Sequence, residues 1–277
     1  EARELNFRNY ELVIGLSLVL FFVSCAILSP YIAPYGENER FEPYGHPSLS
    51  HPLGTNDIGN DILSLLMYSC RVSVVVGFCA SAIAVGIGLV VGLLAGYFGG
   101  YVDEMLMCVT DTVMILPKLP LIILIGAYTG GSIRTIIIVI GLLWWTSTAR
   151  IIRPKVMQLR EMEYISASRM LGFGSREVLL HEILPNILFI LVSKYMLTAA
   201  SALISEVSLS FLGLGDPSWS SWGLMIHMAF TRGGFVNRLW TWVLSPPICI
   251  MLFILGLMLL ARAFERRELS AMAEVMV

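Results

Sequence analysis

Charge is the property that this sequence has least of. Only 14% of its 277 residues are charged and 57% are hydrophobic, which gives a mean hydropathy of +0.79. Soluble domains carry about 25% charged residues, and a soluble fold of this length cannot bury so much apolar surface. The composition therefore excludes a soluble globular domain and predicts an all-α polytopic membrane protein.

Several motifs of catalytic and metal-binding proteins are also absent. The sequence contains no G-x-x-x-x-G-K-[ST] phosphate loop, no H-E-x-x-H pair and no G-x-S-x-G elbow. Its four histidines lack metal-ligand spacing and its five cysteines form no C-x-x-C pair. A formal net charge of −2 gives no basic excess for nucleic acid. We therefore expect no catalytic residue, metal site, disulfide or nucleic-acid partner, and no nucleotide bound in a phosphate loop of this chain.

Six apolar runs dominate what is present, at about 11–30, 70–97, 104–128, 132–149, 186–208 and 241–262. Each approaches or exceeds the roughly 20 residues that a membrane-spanning helix needs. We expect the first run to be a retained helix, because it is longer than a signal-peptide core and no A-x-A site follows it. The sequence therefore predicts six transmembrane helices.

The distribution of Lys and Arg predicts the orientation of these helices. With the N-terminus inside, the inner segments hold Arg3, Arg8, Arg150, Arg153, Lys155, Arg160, Arg169, Arg176, Arg262, Arg266 and Arg267, and the outer segments hold Arg40, Arg71, Arg134, Arg232 and Arg238. This excess places both termini in the cytoplasm. The predicted layout is a cytoplasmic N-terminus at 1–10, a first helix at 11–30, an extracytoplasmic segment at 31–69, a five-helix core at 70–265 and a cytoplasmic tail at 266–277. The core contains a cytoplasmic loop at 150–185 and an extracytoplasmic loop at 209–240.

Three charged residues in the apolar runs are candidates for a pore or gate. Pro117 and Pro120 bracket Lys118 in the third run, and a charge at the bilayer centre costs about 2.5–3.5 kcal/mol on insertion scales. We expect a broken helix beside an aqueous path there. Alternatively, Lys118 lies near the outer interface and snorkels. Lys194 in the fifth run poses the same choice, and Glu206 lies near the outer end of that run.

A stripe of small residues marks the second run. Gly88, Gly92 and Gly96 recur every four residues and therefore share one face of a helix. In lipid, such a face lets two helix backbones approach closely. We expect these glycines to form a helix–helix seam.

A polar, helix-like stretch, "YISASRMLGFGSREVLLHEILPN" (164–186), interrupts the apolar sequence. Gly172 follows one helical segment as a left-handed terminator, and Ser175 is the predicted N-cap of a second helix that runs to Pro185. Two short helices have little core of their own. We expect a helix–turn–helix beneath the membrane that docks on a partner or on the cytoplasmic face of this chain.

The same stretch resembles the cytoplasmic coupling loop of ABC-importer permeases. Ala167, Gly172, Leu184 and Pro185 match that loop in type and spacing. Three residues depart from it, namely Ser166, Ser168 and Glu182.

Three other stretches narrow the resemblance to one family. "HPLGTNDIGNDILSLLMYSCRVSVVVG", "GYFGGYVDEMLMCVTD" and "SLSFLGLGDPSWSSWGLMI" resemble the C-type permease subunits of dipeptide, oligopeptide and nickel importers. Asn56 and Asn60 stand where that family usually has Asp and Arg.

This resemblance implies a type I ABC importer permease fold in the inner cell membrane and an alternating-access mechanism for peptides. The chain would form half of a heterodimeric pore with a second permease, on two ATPases that bind ATP and Mg, beneath an extracytoplasmic binding protein and within membrane lipid. It would hold no cofactor and would not itself be an enzyme. The residues expected to couple to the ATPase are Glu163, Ser166, Ala167, Ser168, Arg169, Leu171, Gly172, Leu184 and Pro185.

Two kinds of alternative stay open. Within the family, the cargo could be nickel, a nickel chelate or an oligosaccharide. From a different class, the chain could be a channel or an ion-coupled carrier without an ATPase, in which Lys118, Lys194 and Glu206 would handle ions. The cytoplasmic stretch favours the importer, because a carrier has no need of a docking helix with this spacing.

Overall fold

The protein was analysed as a computed structural model, which describes the backbone of residues 2–275 and the side chains of residues 10–266. Its helices are α1 (Ala2–Ile32), α2 (Ile62–Phe98), α3 (Gly100–Ile115), α4 (Lys118–Thr129), α5 (Ile133–Arg160), α6 (Glu163–Met170), α7 (Ser175–Glu177), a π-helix (Val178–Ile183), α8 (Leu184–Asn186), α9 (Leu188–Phe211), α10 (Trp222–Thr231) and α11 (Trp240–Val275). Over the described part of the chain, the only β pairing is an isolated bridge between Thr55 and Asp61. The fold is therefore all-α, as the composition predicts.

Five helices are long and apolar enough to cross a membrane, and a sixth crossing comes from a broken pair. The five are Tyr10–Ile32 within α1, α2, α5, α9 and Trp240–Arg266 within α11. Helices α3 and α4 pass the same test only together, with a bend of 76° between them. Counted as one span, the pair gives the six crossings that the sequence predicts, and the bend lies at the predicted break beside Pro117.

The start of the first span and the end of the last span lie at the same end of the bundle. Arg266 at the end of the last span pairs with Glu11 at the start of the first, at 3.4 Å between Nη1 and Oε2. An even number of crossings requires this arrangement. It agrees with the prediction that both termini lie on one side of the membrane, and the assignment of that side to the cytoplasm stays a prediction from the Lys and Arg distribution.

Several helix ends differ from the predicted apolar runs. Helix α2 begins at Ile62 rather than near 70, because Asp61 caps it by accepting a hydrogen bond from the Ser64 backbone N–H at 2.8 Å. Helix α5 continues through Pro154 to Arg160 rather than ending at 149. The segment between α1 and α2 is thus 33–61, and the connection between α5 and α6 starts at 161. The apolar runs differ from these bounds because hydropathy reports the lipid-facing length of a helix and not its full length.

Three helices, α2, α5 and α9, form the centre of the bundle, and α1, α10 and α11 pack on one side of it. The rings of Phe22, Trp222 and Phe253 join that side, with edge-to-face contacts at centroid distances of 5.5 Å between Phe22 and each of the other two. Trp222 and Phe253 are almost completely buried. This aromatic cluster fixes the first and last spans to the core.

The outer segment 33–61 is folded by its own amide side chains. Asn56 Oδ1 accepts hydrogen bonds from the backbone N–H groups of Ile58 and Asn60, at 3.1 and 2.8 Å. Asn60 Nδ2 donates to the carbonyls of Glu37 and Glu39, at 3.0 and 3.1 Å. The two asparagines that depart from the family pattern therefore hold this loop together with neutral hydrogen bonds.

Candidate functional site

The segment 161–187, which connects α5 to α9, has the helix–turn–helix form that the sequence predicts. Helix α6 is followed by Gly172 at φ +92°, in the left-handed region that glycine adopts without strain. Two details of the prediction are wrong. Ser175 is the first helical residue rather than the N-cap, since Gly174 precedes the helix and its backbone N–H donates to Glu177 Oε2 at 2.8 Å. A π-helix at Val178–Ile183, not a regular helix, leads to Pro185.

One side of this segment packs on the chain itself. Ile165 of α6 is fully buried, in a cluster with Ile152 and Val156 of α5 and Ile183 of the π-helix. Two cationic side chains reinforce the contact at Tyr97, the second-to-last residue of α2. The Arg169 guanidinium lies 5.0 Å from the Tyr97 ring centroid, and Arg160 Nη1 donates to the Tyr97 carbonyl at 3.0 Å. The segment is thus bound to the inner ends of α2 and α5.

The other side of the segment is an exposed apolar tip formed by Met170, Leu171 and Phe173. Their exposed fractions are 87%, 81% and 49%. Within the described residues, Met170 and Leu171 therefore stay largely uncovered and Phe173 is about half covered. We call Met170, Leu171 and Phe173 the apolar tip.

The predicted coupling residues surround this tip. Ser168 and Leu184 are half-buried, and the exposed ones are Glu163, Ser166, Ala167, Arg169, Leu171, Gly172 and Pro185. Glu182 is half-buried near Tyr164, and burial, together with the Glu182 charge, raises the pKa of the Tyr164 phenol above its ordinary value. Most of the predicted set is therefore exposed.

Two of the three pore candidates lie within range of electrostatic interaction. Lys118 is the first residue of α4, at the 76° bend, and its Nζ lies 4.7 Å from the Trp144 ring centroid. Lys194 is half-buried in α9, close enough to Lys118 for electrostatic repulsion and to Glu265 for attraction. Proximity of the two lysines was not predicted, because they are far apart in sequence.

Glu206 lies apart from the lysines. It is twelve residues after Lys194 in α9, which is about 18 Å along a helix axis. It is only 1% exposed, and its carboxyl oxygens accept hydrogen bonds from Ser210 and Ser73 at 2.7 and 3.3 Å. The three candidates therefore form two separate sites.

The predicted glycine stripe of α2 faces α5. A Cβ added to Gly88 would lie 2.5 Å from Thr148 Cβ, and one added to Gly96 would lie 2.7 Å from the Arg153 carbonyl oxygen. At Gly92, it would lie 2.8 Å from Ile152 Cβ. Real Cβ contacts are not this short, so the α2–α5 seam has room only for glycine.

Sequence reasoning missed two ion pairs between α3 and α5. Asp103 accepts two hydrogen bonds from Arg153, at 2.5 and 2.6 Å, and Asp111 pairs with Arg150. The signal was present, because charged residues within spans seldom lie unpaired. These pairs tie the broken span to α5, the helix that leads into the segment 161–187.

Comparison with known proteins identifies the family. The sequence model of the "Binding-protein-dependent transport system inner membrane component" family matches residues 88–269. The chain is 33% identical to the dipeptide transport system permease protein DppC of Bacillus subtilis (strain 168), over 79% of this chain and 70% of that protein. It is also 33% identical to the oligopeptide transport system permease protein OppC of the same organism, over 90% of this chain and 83% of that one.

A solved structure shares the fold. A chain of the MetNI methionine ABC transporter in an inward-facing conformation superposes with a TM-score of 0.58 at 17% identity. The match covers 74% of this chain and 95% of that one. The chain belongs to the binding-protein-dependent transport system inner membrane component family and is a multi-pass permease component of the inner membrane with the type I ABC importer fold.

Proposed function

We propose that this chain forms half of the translocation pore of an ATP-driven importer for peptides. Relatives at 33% identity are named as permeases for dipeptides and oligopeptides, which supports peptides as the cargo. The chain would pair with a second permease, and an extracytoplasmic binding protein would deliver the peptide. Transport would proceed by alternating access, driven by two separate ATPase subunits that bind ATP and Mg.

The observation that carries this proposal is the apolar tip of the segment 161–187. Met170 and Leu171 are more than 80% exposed, on the side of the bundle that the Lys and Arg distribution places in the cytoplasm. Large apolar side chains clustered on an exposed surface indicate a protein interface. An ATPase groove that receives α6 and this tip accounts for their exposure.

The inner side of the segment can carry motion into the membrane. Ile165 is fully buried against α5 and the π-helix, and Arg169 lies over Tyr97 at the end of α2. A displacement of α6 therefore moves packed side chains of two spans. Closure of the ATPases would act on these contacts, and ATP would shift the equilibrium only through contacts that differ between the two states.

Site-specific crosslinking tests the docking surface. Single cysteines at positions 163–171, Ala167 included, are placed in the complete complex, and we expect those on the exposed side of α6 to crosslink to an ATPase subunit. The control is a cysteine at Tyr128, which is 85% exposed but lies at the far end of α4. Absence of crosslinks across the whole scan, in a complex shown to be assembled, would contradict the coupling assignment.

Uptake into proteoliposomes tests the cargo. With its binding protein outside and ATP inside, the complex is expected to accumulate labelled di- or oligopeptides and to stop when ATP is omitted. Nickel and oligosaccharide are tested in parallel. Uptake of either in preference to peptides would replace the cargo assignment, and accumulation without ATP would support an ion-coupled carrier instead.

A further inference from the structure

A buried hydrogen-bond chain links the outer ends of three helices. The Trp222 backbone N–H at the start of α10 donates to Ser73 Oγ in α2 at 3.3 Å. Ser73 Oγ in turn donates to Glu206 Oε2 in α9 at 3.3 Å. The other carboxyl oxygen, Oε1, accepts from Ser210 Oγ at 2.7 Å. Glu206 thus bonds to Ser210 of its own helix and to Ser73 of α2. Through Ser73 it is also linked to the start of α10.

The helix that begins at Trp222 reinforces this arrangement. Its N-cap is Ser221, whose Oγ accepts from the Leu224 backbone N–H at 3.3 Å and which also faces the Glu206 carboxyl group. The start of α10 is therefore held beside Glu206 through Ser73, which bonds both the Trp222 backbone N–H and the carboxyl group, and through Ser221.

The loop 212–221 that precedes α10 is fixed at its middle as well. Asp216 accepts from the Ser218 backbone N–H at 2.9 Å and from the Ile133 backbone N–H at the start of α5 at 3.4 Å. Glu206 and Asp216 both line one small cavity of about 10 Å³, together with Ser210 and Ser221. The loop consequently contacts α5 at one point and the Glu206 cluster at another.

The backbone of this region approaches α9 too closely for side chains. A Cβ added to Gly215 would lie 2.5 Å from Ser210 Oγ, and one added to Gly223 would lie 2.7 Å from Ser210 Cβ. Ser210, which donates to Glu206, is thus enclosed by the loop on one side and by α10 on the other. The hydrogen bonds and the close packing converge on the same part of α9.

We propose that Glu206 is a positioning residue that fixes loop 212–221 and α10 to the outer ends of α2 and α9. This proposal rests on the proposed importer function. With Glu206 in place, the outer part of the subunit moves as one body when the extracytoplasmic side opens and closes. Without it, α10 and the loop move relative to α2, and a change of state at the cytoplasmic side opens the outer side less effectively. Glu206 acts through these elements and not by contact with cargo.

Four variants in the complete complex test this proposal by function. Glu206→Leu removes both acceptors, and Ser73→Ala removes the bridge between Trp222 and Glu206. We expect each to reduce uptake at saturating binding protein at least fivefold, while the basal ATPase rate and the concentration of binding protein for half-maximal uptake change less than twofold. Glu206→Gln keeps an acceptor and adds a donor, so we expect it to retain at least half of the uptake. Ser205→Ala is the matched control, because among the described residues buried Ser205 donates only to the Ser201 carbonyl of its own helix, and we expect wild-type uptake.

A distance measurement separates positioning from a general loss of stability. Spin labels are attached at Arg71 of α2 and Ser218 of the loop, both exposed, in a variant whose native cysteines are replaced. In the protein that keeps Glu206 and Ser73, we expect one narrow distribution of the distance between these labels, both in the presence and in the absence of ATP. In the Glu206→Leu and Ser73→Ala variants, we expect a broadened distribution.

Each outcome of these measurements decides the proposal. An unchanged distribution in the Leu and Ala variants overturns it, whether or not uptake falls, and so does a Gln variant as impaired as the Leu variant. If Glu206→Leu does not assemble, Ser73→Ala gives the same test. If the wild-type complex transports no peptide, the proposed function fails, but the label distances still decide whether Glu206 fixes the loop.

Discussion

Gly172 is the residue whose backbone conformation tests the proposed coupling role. Its φ is +92° and a Cβ added there would meet no atom within 4 Å. A substitution would therefore cause backbone strain without a clash. For an L-residue the left-handed region costs about 1–2 kcal/mol, and for a β-branched residue it is a strong outlier. We expect Gly172→Val to reduce ATP-driven uptake several-fold while membrane insertion and the amount of assembled complex stay normal.

The matched control for this prediction is Gly174, two residues further along the same turn. Its φ is −71°, which any residue adopts, and an added Cβ would come no closer than 3.8 Å to Glu177 Oε2. Gly174→Ala is therefore expected to transport like wild type. Uptake per assembled complex and peptide-stimulated ATP hydrolysis are the measurements. Equal rates for Gly172→Val and Gly174→Ala would show that the left-handed turn plays no part in coupling.

The sequence predicts a residue with a special backbone conformation well, but it predicts contacts between distant side chains poorly. A left-handed glycine has a local signal, and Gly172 was found from the residues on either side of it. The contact of Arg169 with Tyr97 and that of Glu206 with Ser73 join residues distant in the chain. A charged residue within a span signals that it has a partner, but one sequence does not say which distant residue the helix packing brings to it.

Among the elements, the seam between α2 and α5 offers the sharpest stability test. Gly88 faces α5, where an added Cβ would lie 2.6 Å from the Trp145 carbonyl oxygen. Gly86 is two residues earlier in the same helix, and an added Cβ there meets nothing within 4 Å. Overpacking a closely packed interface typically costs about 1–3 kcal/mol. We expect Gly88→Leu to lower the unfolding temperature of the purified complex and Gly86→Leu to leave it unchanged.

Thermal unfolding of both variants in lipid nanodiscs checks this expectation under matched conditions. The two substitutions add the same side chain to the same helix, so helix propensity and hydrophobicity cancel in the comparison. The difference between their unfolding temperatures therefore reports how much overpacking of the α2–α5 seam destabilises the complex. Unfolding temperatures that fall equally, or not at all, would count against a seam that only glycine fits.

Element ends were harder to predict than the existence of elements. The break beside Pro117 was predicted because proline removes a backbone donor and disrupts a helix. The early start of α2 at Ile62 was missed, because Asp61 caps a helix that begins outside the apolar run. The π-helix at Val178–Ile183 was missed as well, since its sequence has the apolar pattern of an ordinary helix.

At the scale of the whole molecule, the orientation in the membrane determines which partners can reach each site. The apolar tip and the loop 212–221 are expected on opposite sides, and the Lys and Arg distribution assigns the tip to the cytoplasm. Phe173 in the tip is 49% exposed, and Val236 in the segment that follows α10 is 85% exposed. A single cysteine at either position is therefore accessible to a reagent on its own side of the membrane.

Labelling with a membrane-impermeant maleimide tests this orientation, after replacement of the native cysteines, of which Cys79 and Cys108 are exposed. In right-side-out vesicles we expect Val236→Cys to react and Phe173→Cys to stay unlabelled, and in inside-out vesicles we expect the reverse. Detergent-solubilised protein, in which both positions react, serves as the control for accessibility. A reversed pattern would place the tip outside, where no ATPase could reach it, so the coupling assignment would fail together with the orientation. Labelling of both positions from one side would instead contradict the six crossings, because α9 must carry the chain across the membrane between positions 173 and 236.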